Sequence, residues 1–254
     1  WGDGVQDRYT VPALMDELDV EDHYHFQNFG IIAYVSSQEI LHLSRLLAKG
    51  EIPNTVIFYH GANDVSMGII QAPGYENYYK KHRDAIALKM KPFLTQLALE
   101  TNTGTILTSV ASRLRSATDN MNVDTYRITD DEQRRIDQTV ERLTQNITFV
   151  RKLGEAYKFD VLHILQPGLL TGYEVKAGIA SNYEKQRYDN EDARFRALYQ
   201  QTYQQLKEVP NIIDLSDIFV KTKMANAYFD TIHLGPAGNR VIAEAIMPHL
   251  NQIN

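Results

Sequence analysis

Residues 55–64 read Thr55-Val56-Ile57-Phe58-Tyr59-His60-Gly61-Ala62-Asn63-Asp64, and residues 160–168 read Asp160-Val161-Leu162-His163-Ile164-Leu165-Gln166-Pro167-Gly168. Each stretch holds a mostly apolar, β-compatible run that breaks into turn residues. A strand with one wet face alternates polar and apolar side chains. A strand covered by helices on both faces does not, and runs nearly continuously apolar. Thr55–Tyr59 and Asp160–Leu165 are therefore read as central strands of a parallel sheet.

The segments around them carry helical periodicity. Ser36–Ala48 places Ile40, Leu43, Leu46 and Leu47 at helical spacing, and Gly50 stops it. Thr129-Asp130-Asp131-Glu132 is a capping-box pattern. It opens a long helix to about Tyr157 with Ile136, Val140, Leu143, Ile147 and Val150 on one stripe. Thr10–Leu18, Asp192–Lys207 and Pro236–Leu250 are read as further helices, and Asn211–Asp214 as a short strand. His23–Phe29 alternates aromatic and polar residues and is read as a strand ending at Gly30. Asn77–Glu100 is mostly helical in pattern, and Thr101–Asp124 stays open between strand and helix. Alternating strands and helices imply a doubly wound α/β fold, a three-layer α/β/α sandwich with a flavodoxin-like parallel sheet. No linker composition divides the chain, so residues 1–254 are expected to form one domain. The segment from about 73 to 153 exceeds one crossover and is expected to include a helical cap.

The chain has 254 residues, 26 Lys+Arg against 32 Asp+Glu, and a net charge of −6. That mild acidity lacks the basic face of a nucleic-acid binder. A hydrophobic fraction of 43% with 23% charged residues belongs to a folded globule. The absence of Cys excludes disulfides, thiolate nucleophiles and Cys-ligated metals. No apolar run approaches the ~20 residues of a membrane helix.

Doubly wound sheets place their sites at the carboxyl ends of the strands, so chemistry is sought there. Asp230-Thr231-Ile232-His233 precedes the last helix. A carboxylate three residues before an imidazole can hold its Nδ1 proton and make it a general base. Taken alone, the pattern also fits a capped surface loop. Asn63, after the 55–59 strand, can donate an amide to a developing oxyanion, and the N–H of Gly30 can do the same. Both stretches also fit plain turns. His60, Asp64 and Gln166 sit at the same strand ends and are taken as pocket candidates. His163 reads as a buried core residue, and His23 and His25 lack a third residue for a zinc site. Tyr75, Tyr78 and Tyr79 suit either a pocket rim or surface packing. Asn146-Ile147-Thr148 matches the glycosylation pattern but falls inside the long helix.

Taken in order along the chain, these residues resemble the SGNH/GDSL hydrolase superfamily, over nearly its whole length. Asn28-Phe29-Gly30 with Ser37-Gln38-Glu39 is similar to the family's second block. Gly61-Ala62-Asn63-Asp64 is similar to its third, and Asp230 with His233 to its fifth. The resemblance implies serine-dependent hydrolysis of acyl esters, on a lipid or carbohydrate substrate. Asp230 and His233 would belong to the triad, Gly30 and Asn63 to the oxyanion hole, and no metal or organic cofactor is implied. Trp1-Gly2-Asp3-Gly4 followed by Thr10-Val11-Pro12-Ala13 resembles the sequel of the family's first block, Gly-Gly-Ser-Thr-Thr. The nucleophilic Ser and the first strand are therefore expected before Trp1. A rival alignment sets Gly4 in the place of the Ser and implies a non-catalytic binding module. Transfer of acetyl groups to a polysaccharide would use the same residues as hydrolysis. Relatives of this type often follow a signal or membrane segment, which inclines the compartment toward the extracytoplasmic side. A nucleotide-binding reading lacks a G-x-G-x-x-G or Walker loop.

Overall fold

A computed structural model describes residues 5–70, 126–250 and 252. In chain order the described helices are α1 (Val11–Leu18), α2 (Ser36–Ala48), α3 (Ala62–Ile70), α4 (Asp130–Tyr157), α5 (Tyr173–Lys176), α6 (Asn182–Asp189), α7 (Ala193–Leu206), α8 (Ile218–Lys221) and α9 (Pro236–Leu250). The strands are β1 (Thr55–His60), β2 (Asp160–Leu165) and β3 (Ile212–Asp214). They form a parallel sheet in the order β1-β2-β3. The chain is thus mixed α/β with parallel strands, as the apolar runs imply.

Side-chain alternation on the strands explains why those runs are continuous. Val56, Phe58 and Val161 pack in a cluster with Ile40, Leu43 and Leu47 of α2 and Val150 of α4. Their neighbours Ile57, Tyr59, Leu162 and Ile164 belong to a second, larger cluster with Leu14, Met15, Tyr199, Tyr203, Ile242 and Ile246. Successive strand residues point to opposite faces, so both faces of β1 and β2 are covered. The stripe of α4 behaves as its spacing requires. Ile136, Leu143, Ile147 and Val150 are buried, and Val140 is half-buried against the core. Its N-terminus is closed by the expected box. Glu132 N–H donates to Thr129 Oγ1 at 3.3 Å, and Thr129 N–H donates to Glu132 Oε2 at 2.8 Å.

One expected element is corrected. Residues 23–29 form no strand, and among the described residues no ladder joins them to the sheet. The alternation itself is real. Tyr24 and Phe26 turn inward, their ring centroids 5.7 Å apart, while His23 and His25 are exposed. A period of two reports which side of an extended chain is buried. It does not report whether the backbone is paired. Of the segment expected to include a cap, residues 126–153 contribute the start of α4, which packs on β2, α3 and α7. The rest, with Asn77–Glu100, Thr101–Asp124 and Tyr75, Tyr78 and Tyr79, lies outside the described residues. No described helix is long and apolar enough to cross a membrane.

Two glycines are fixed by close approach. Gly61 has φ +122, and a Cβ there would stand 2.6 Å from Leu165 Cδ1. Gly68 lets α3 touch α4, since a Cβ there would meet Thr139 Oγ1 at 2.0 Å. In an exposed helix Gly→Ala gains about 1 kcal/mol. At Gly68 the overlap is with packed atoms of α4, and overpacking of this kind costs about 1–3 kcal/mol. Gly68→Ala is therefore expected to lower stability in urea denaturation. A gain equal to the propensity term would show that α3 and α4 separate without cost.

Candidate functional site

The Asp230–His233 turn is built from its backbone outward. Tyr228 and Leu234 form an antiparallel bridge. Phe229 N–H donates to His233 O at 3.1 Å, and Gly235 N–H to Ala227 O at 2.8 Å. The turn between them is closed by one carboxylate. Asp230 Oδ1 accepts the N–H groups of Ile232 and His233, each at 2.7 Å. Asp230 Oδ2 lies 2.7 Å from His233 Nδ1. A carboxylate bonded to Nδ1 selects the tautomer whose Nε2 can accept a proton. The Phe229 ring stacks on the His233 ring at 5.6 Å and 18°. His233 and Asp230 side chains are 40% and 36% exposed, so a substrate can reach them. Burial acts to raise the Asp230 carboxyl, but hydrogen bonds from the His233 ring and from the two backbone N–H groups outweigh it and hold it below the ordinary range.

Backbone hydrogen bonds join this turn to the strand ends. Gln166 N–H donates to His60 O at 3.0 Å, and Leu169 N–H donates to Thr231 O at 3.1 Å. The carboxyl ends of β1 and β2 and the Asp230–His233 turn thus form one connected rim. Gln166 is half-buried on it, and its carbonyl accepts from Tyr203 Oη at 3.2 Å. Residues 34–36 are tied to the start of α3. Asn63 Nδ2 donates to Tyr34 O at 3.0 Å, and Ser36 Oγ donates to Asp64 Oδ1 at 2.5 Å. Ser36 N–H also donates to both oxygens of Asp64, at 3.1 and 3.2 Å. An amide carries two N–H groups, so Tyr34 uses one of the two on Asn63. Gly30 lies on an exposed tip with Phe29, Ile31 and Ile32, and its N–H donates to Asn28 Oδ1 at 3.0 Å.

Two of the pocket candidates lie deeper than a pocket rim. Asp64 is buried and committed to Ser36. His60 is 4% exposed, stacked on His163 at 5.4 Å, with Nδ1 3.2 Å from Glu39 Oε2. Burial opposes charge on His60, but the bonded Glu39 carboxylate and nearby Asp64 outweigh it and raise its pKa. Burial raises Glu39 and Asp64 as well. His163 is pushed down to about 3 by burial, then by the charges of His60 and Arg151, and stays neutral. It is the buried core histidine its apolar surroundings suggest. Asn146 turns its amide to Ser36 Oγ at 2.7 Å and Ser37 Oγ at 2.9 Å, supporting the same segment from α4.

Sequence reasoning missed Glu174, which lies in no recognisable motif, and Glu184, whose capping-box pattern Ser181-Asn182-Tyr183-Glu184 announces a helix start and nothing more. Glu174 is 2% exposed and accepts from Tyr228 Oη at 3.4 Å, two residues before Asp230. Comparison with family models, with curated proteins and with solved structures found no match for this chain.

Glu174 generates a pH prediction. Burial, aided by the charges of Glu184 and Asp217, lifts its carboxyl from 4.5 to about 7. The folded state thus holds a proton that the unfolded chain releases near 4.5. The stabilisation is complete below that value and is lost as pH rises toward 7. Glu174→Gln keeps an acceptor for Tyr228 and cannot ionise. Its stability advantage over wild type is expected to be up to about 3 kcal/mol larger at pH 8 than at pH 4.5. Parallel urea-denaturation profiles across that range would show that Glu174 ionises without cost.

Proposed function

We propose that this protein is a serine-dependent hydrolase of acyl esters on the SGNH-type three-layer α/β/α fold, with His233 as its general base and acid. The observation that carries the reading is the Asp230 carboxylate, which holds His233 Nδ1 at 2.7 Å while its other oxygen fixes the backbone of the same turn. One group thereby sets both the tautomer and the direction of the imidazole. The family resemblance implies that the nucleophile is a serine hydroxyl.

In this mechanism the serine hydroxyl attacks the ester carbonyl and His233 Nε2 takes its proton. The imidazolium is stabilised by Asp230, whose lowered pKa keeps it a carboxylate. His233 then protonates the departing alcohol, and water repeats the cycle on the acyl-enzyme. The second N–H of Asn63 donates to the tetrahedral oxyanion. The Gly30 N–H exchanges its Asn28 acceptor for that oxyanion. Asn63 is suited to the task because its carboxamide is already oriented by Tyr34 O.

Hydrolysis of a short acyl ester tests the reading. His233→Ala is expected to reduce turnover to background. Asp230→Asn, which favours the wrong tautomer, is expected to cost about 10⁴-fold in kcat. Asn63→Ala is expected to cost about 10²–10³-fold in kcat with little change in KM. Full turnover in His233→Ala would refute the assignment.

A further inference from the structure

The Asp230–His233 turn has two legs. The trailing leg is anchored by buried Leu234 and by α9, which starts at Pro236. The leading leg, residues 226–229, pairs with the trailing one through the Tyr228–Leu234 bridge and begins at Asn226, whose φ is left-handed at +58. Non-glycine residues persist in that region only where their surroundings over-determine them. At Asn226 the backbone is held from α6.

Ser181 opens α6 with a capping box. Ser181 Oγ accepts from Glu184 N–H at 3.3 Å, and Glu184 Oε2 accepts Ser181 N–H at 2.8 Å and Ser181 Oγ–H at 2.9 Å. A box glutamate commonly ends its work there, on the surface. Glu184 is 2% exposed instead, and its carboxylate continues across the fold. Oε2 also accepts Asn226 N–H at 3.0 Å, and Oε1 accepts Tyr228 N–H at 3.1 Å. Burial opposes its charge, but the donors from Ser181, Tyr228 and Asn226 outweigh burial and keep Glu184 ionised. Its neighbour Tyr183 adds a third grip, donating Oη–H to Phe229 O at 2.6 Å while accepting from Arg187 Nε at 3.0 Å. Tyr183 and Glu184 together fix Asn226, Tyr228 and Phe229, and the next residue is Asp230.

We propose that Glu184 is the positioning residue of the Asp230–His233 pair, assisted by Tyr183. The turnover arm of this inference rests on the hydrolase reading above; the geometric arm does not. A carboxylate whose sole purpose was to cap α6 would need only the Ser181 contacts. The remaining acceptor capacity goes to the backbone that aims Asp230 and His233. Displacement of a catalytic group by ~1 Å can cost about 10²-fold in rate, so this leverage is large.

Three variants of the full-length protein separate positioning from stability. Glu184→Gln keeps the volume but turns an NH2 group against at least one N–H donor. It is expected to lower kcat by about 10–100-fold with KM within about twofold. In long-range ¹H–¹⁵N spectra its His233 signal is expected to move from the Nδ1–H toward the Nε2–H tautomer. Tyr183→Phe, at an exposed side chain, is expected to show the same two changes at smaller size. Asp192→Ala removes the cap that accepts Phe195 N–H at 2.8 Å at the start of α7, away from Glu184, and is expected to lower Tm while leaving kcat and the His233 tautomer as in wild type. A lower Tm in Glu184→Gln with wild-type kcat and tautomer would overturn the proposal. If Glu184→Gln does not fold, Tyr183→Phe decides, and wild-type kcat and tautomer there overturn it. If the wild type turns over no acyl ester, the hydrolase reading fails and the tautomer spectra alone decide Glu184.

Discussion

The parallel pairing of β1 with β2 is the constraint on which the rest depends. Its register runs from Thr55↔Asp160 to His60↔Leu165. Asp160 N–H donates to Asn54 O at one end and Gln166 N–H to His60 O at the other. Both strands therefore end level, and the chain leaves each at the same edge. Gly61 makes the β1 exit possible, because no side chain fits between the backbone and Leu165. The connected rim from His60 through Gln166 and Leu169 to Thr231 follows from that level edge. Slipping the register by one residue would turn every side chain of β1 to the opposite covered face, putting Val56 and Phe58 where Ile57 and Tyr59 pack.

Below the rim lies a buried polar layer. Glu39, His60, Asp64 and His163 stand where a simpler core would be apolar. Asp64 binds Ser36, and Asn146 reaches the same serine from α4. The layer couples α2, α3 and α4 through hydrogen bonds with fixed directions. Such bonds specify orientation better than apolar contact does, although each contributes only ~1 kcal/mol net. It thereby holds the segment carrying Tyr34 and Ser36 against the start of α3, where Asn63 sits. The leading leg of the Asp230–His233 turn receives comparable support from Glu184, again by a carboxylate accepting backbone N–H groups.

Among the described residues, the three strands of the sheet and five helices were legible in the sequence, while α3, α5, α6 and α8 were not. The stripes of α2 and α4, the apolar runs of β1 and β2 and the box at Thr129 all carry local patterns that require their structures. Residues 23–29 misled because half-burial of Tyr24 and Phe26 imprints the same alternation as a ladder. The Asp230–His233 contact was legible because both partners lie within one turn. His60 was harder to place. Its position at a strand end suggested the rim, yet the even residues of β1 face α2, and its partners Glu39 and His163 come from distant segments. Glu184 left a signal for its helix start but none for its wider role. Its box with Ser181 looks like any surface cap, and its contacts with Asn226 and Tyr228 span 42 and 44 residues.

The central claim is that Asp230 and His233 activate a serine hydroxyl for acyl transfer. An alkyl fluorophosphonate captures only a serine so activated. Treating the full-length protein with this reagent and mapping the adduct by peptide mass spectrometry tests the claim most directly. One adduct is expected, on a single serine, and it should vanish in His233→Ala. No adduct, or an adduct of equal yield in His233→Ala, would contradict the claim.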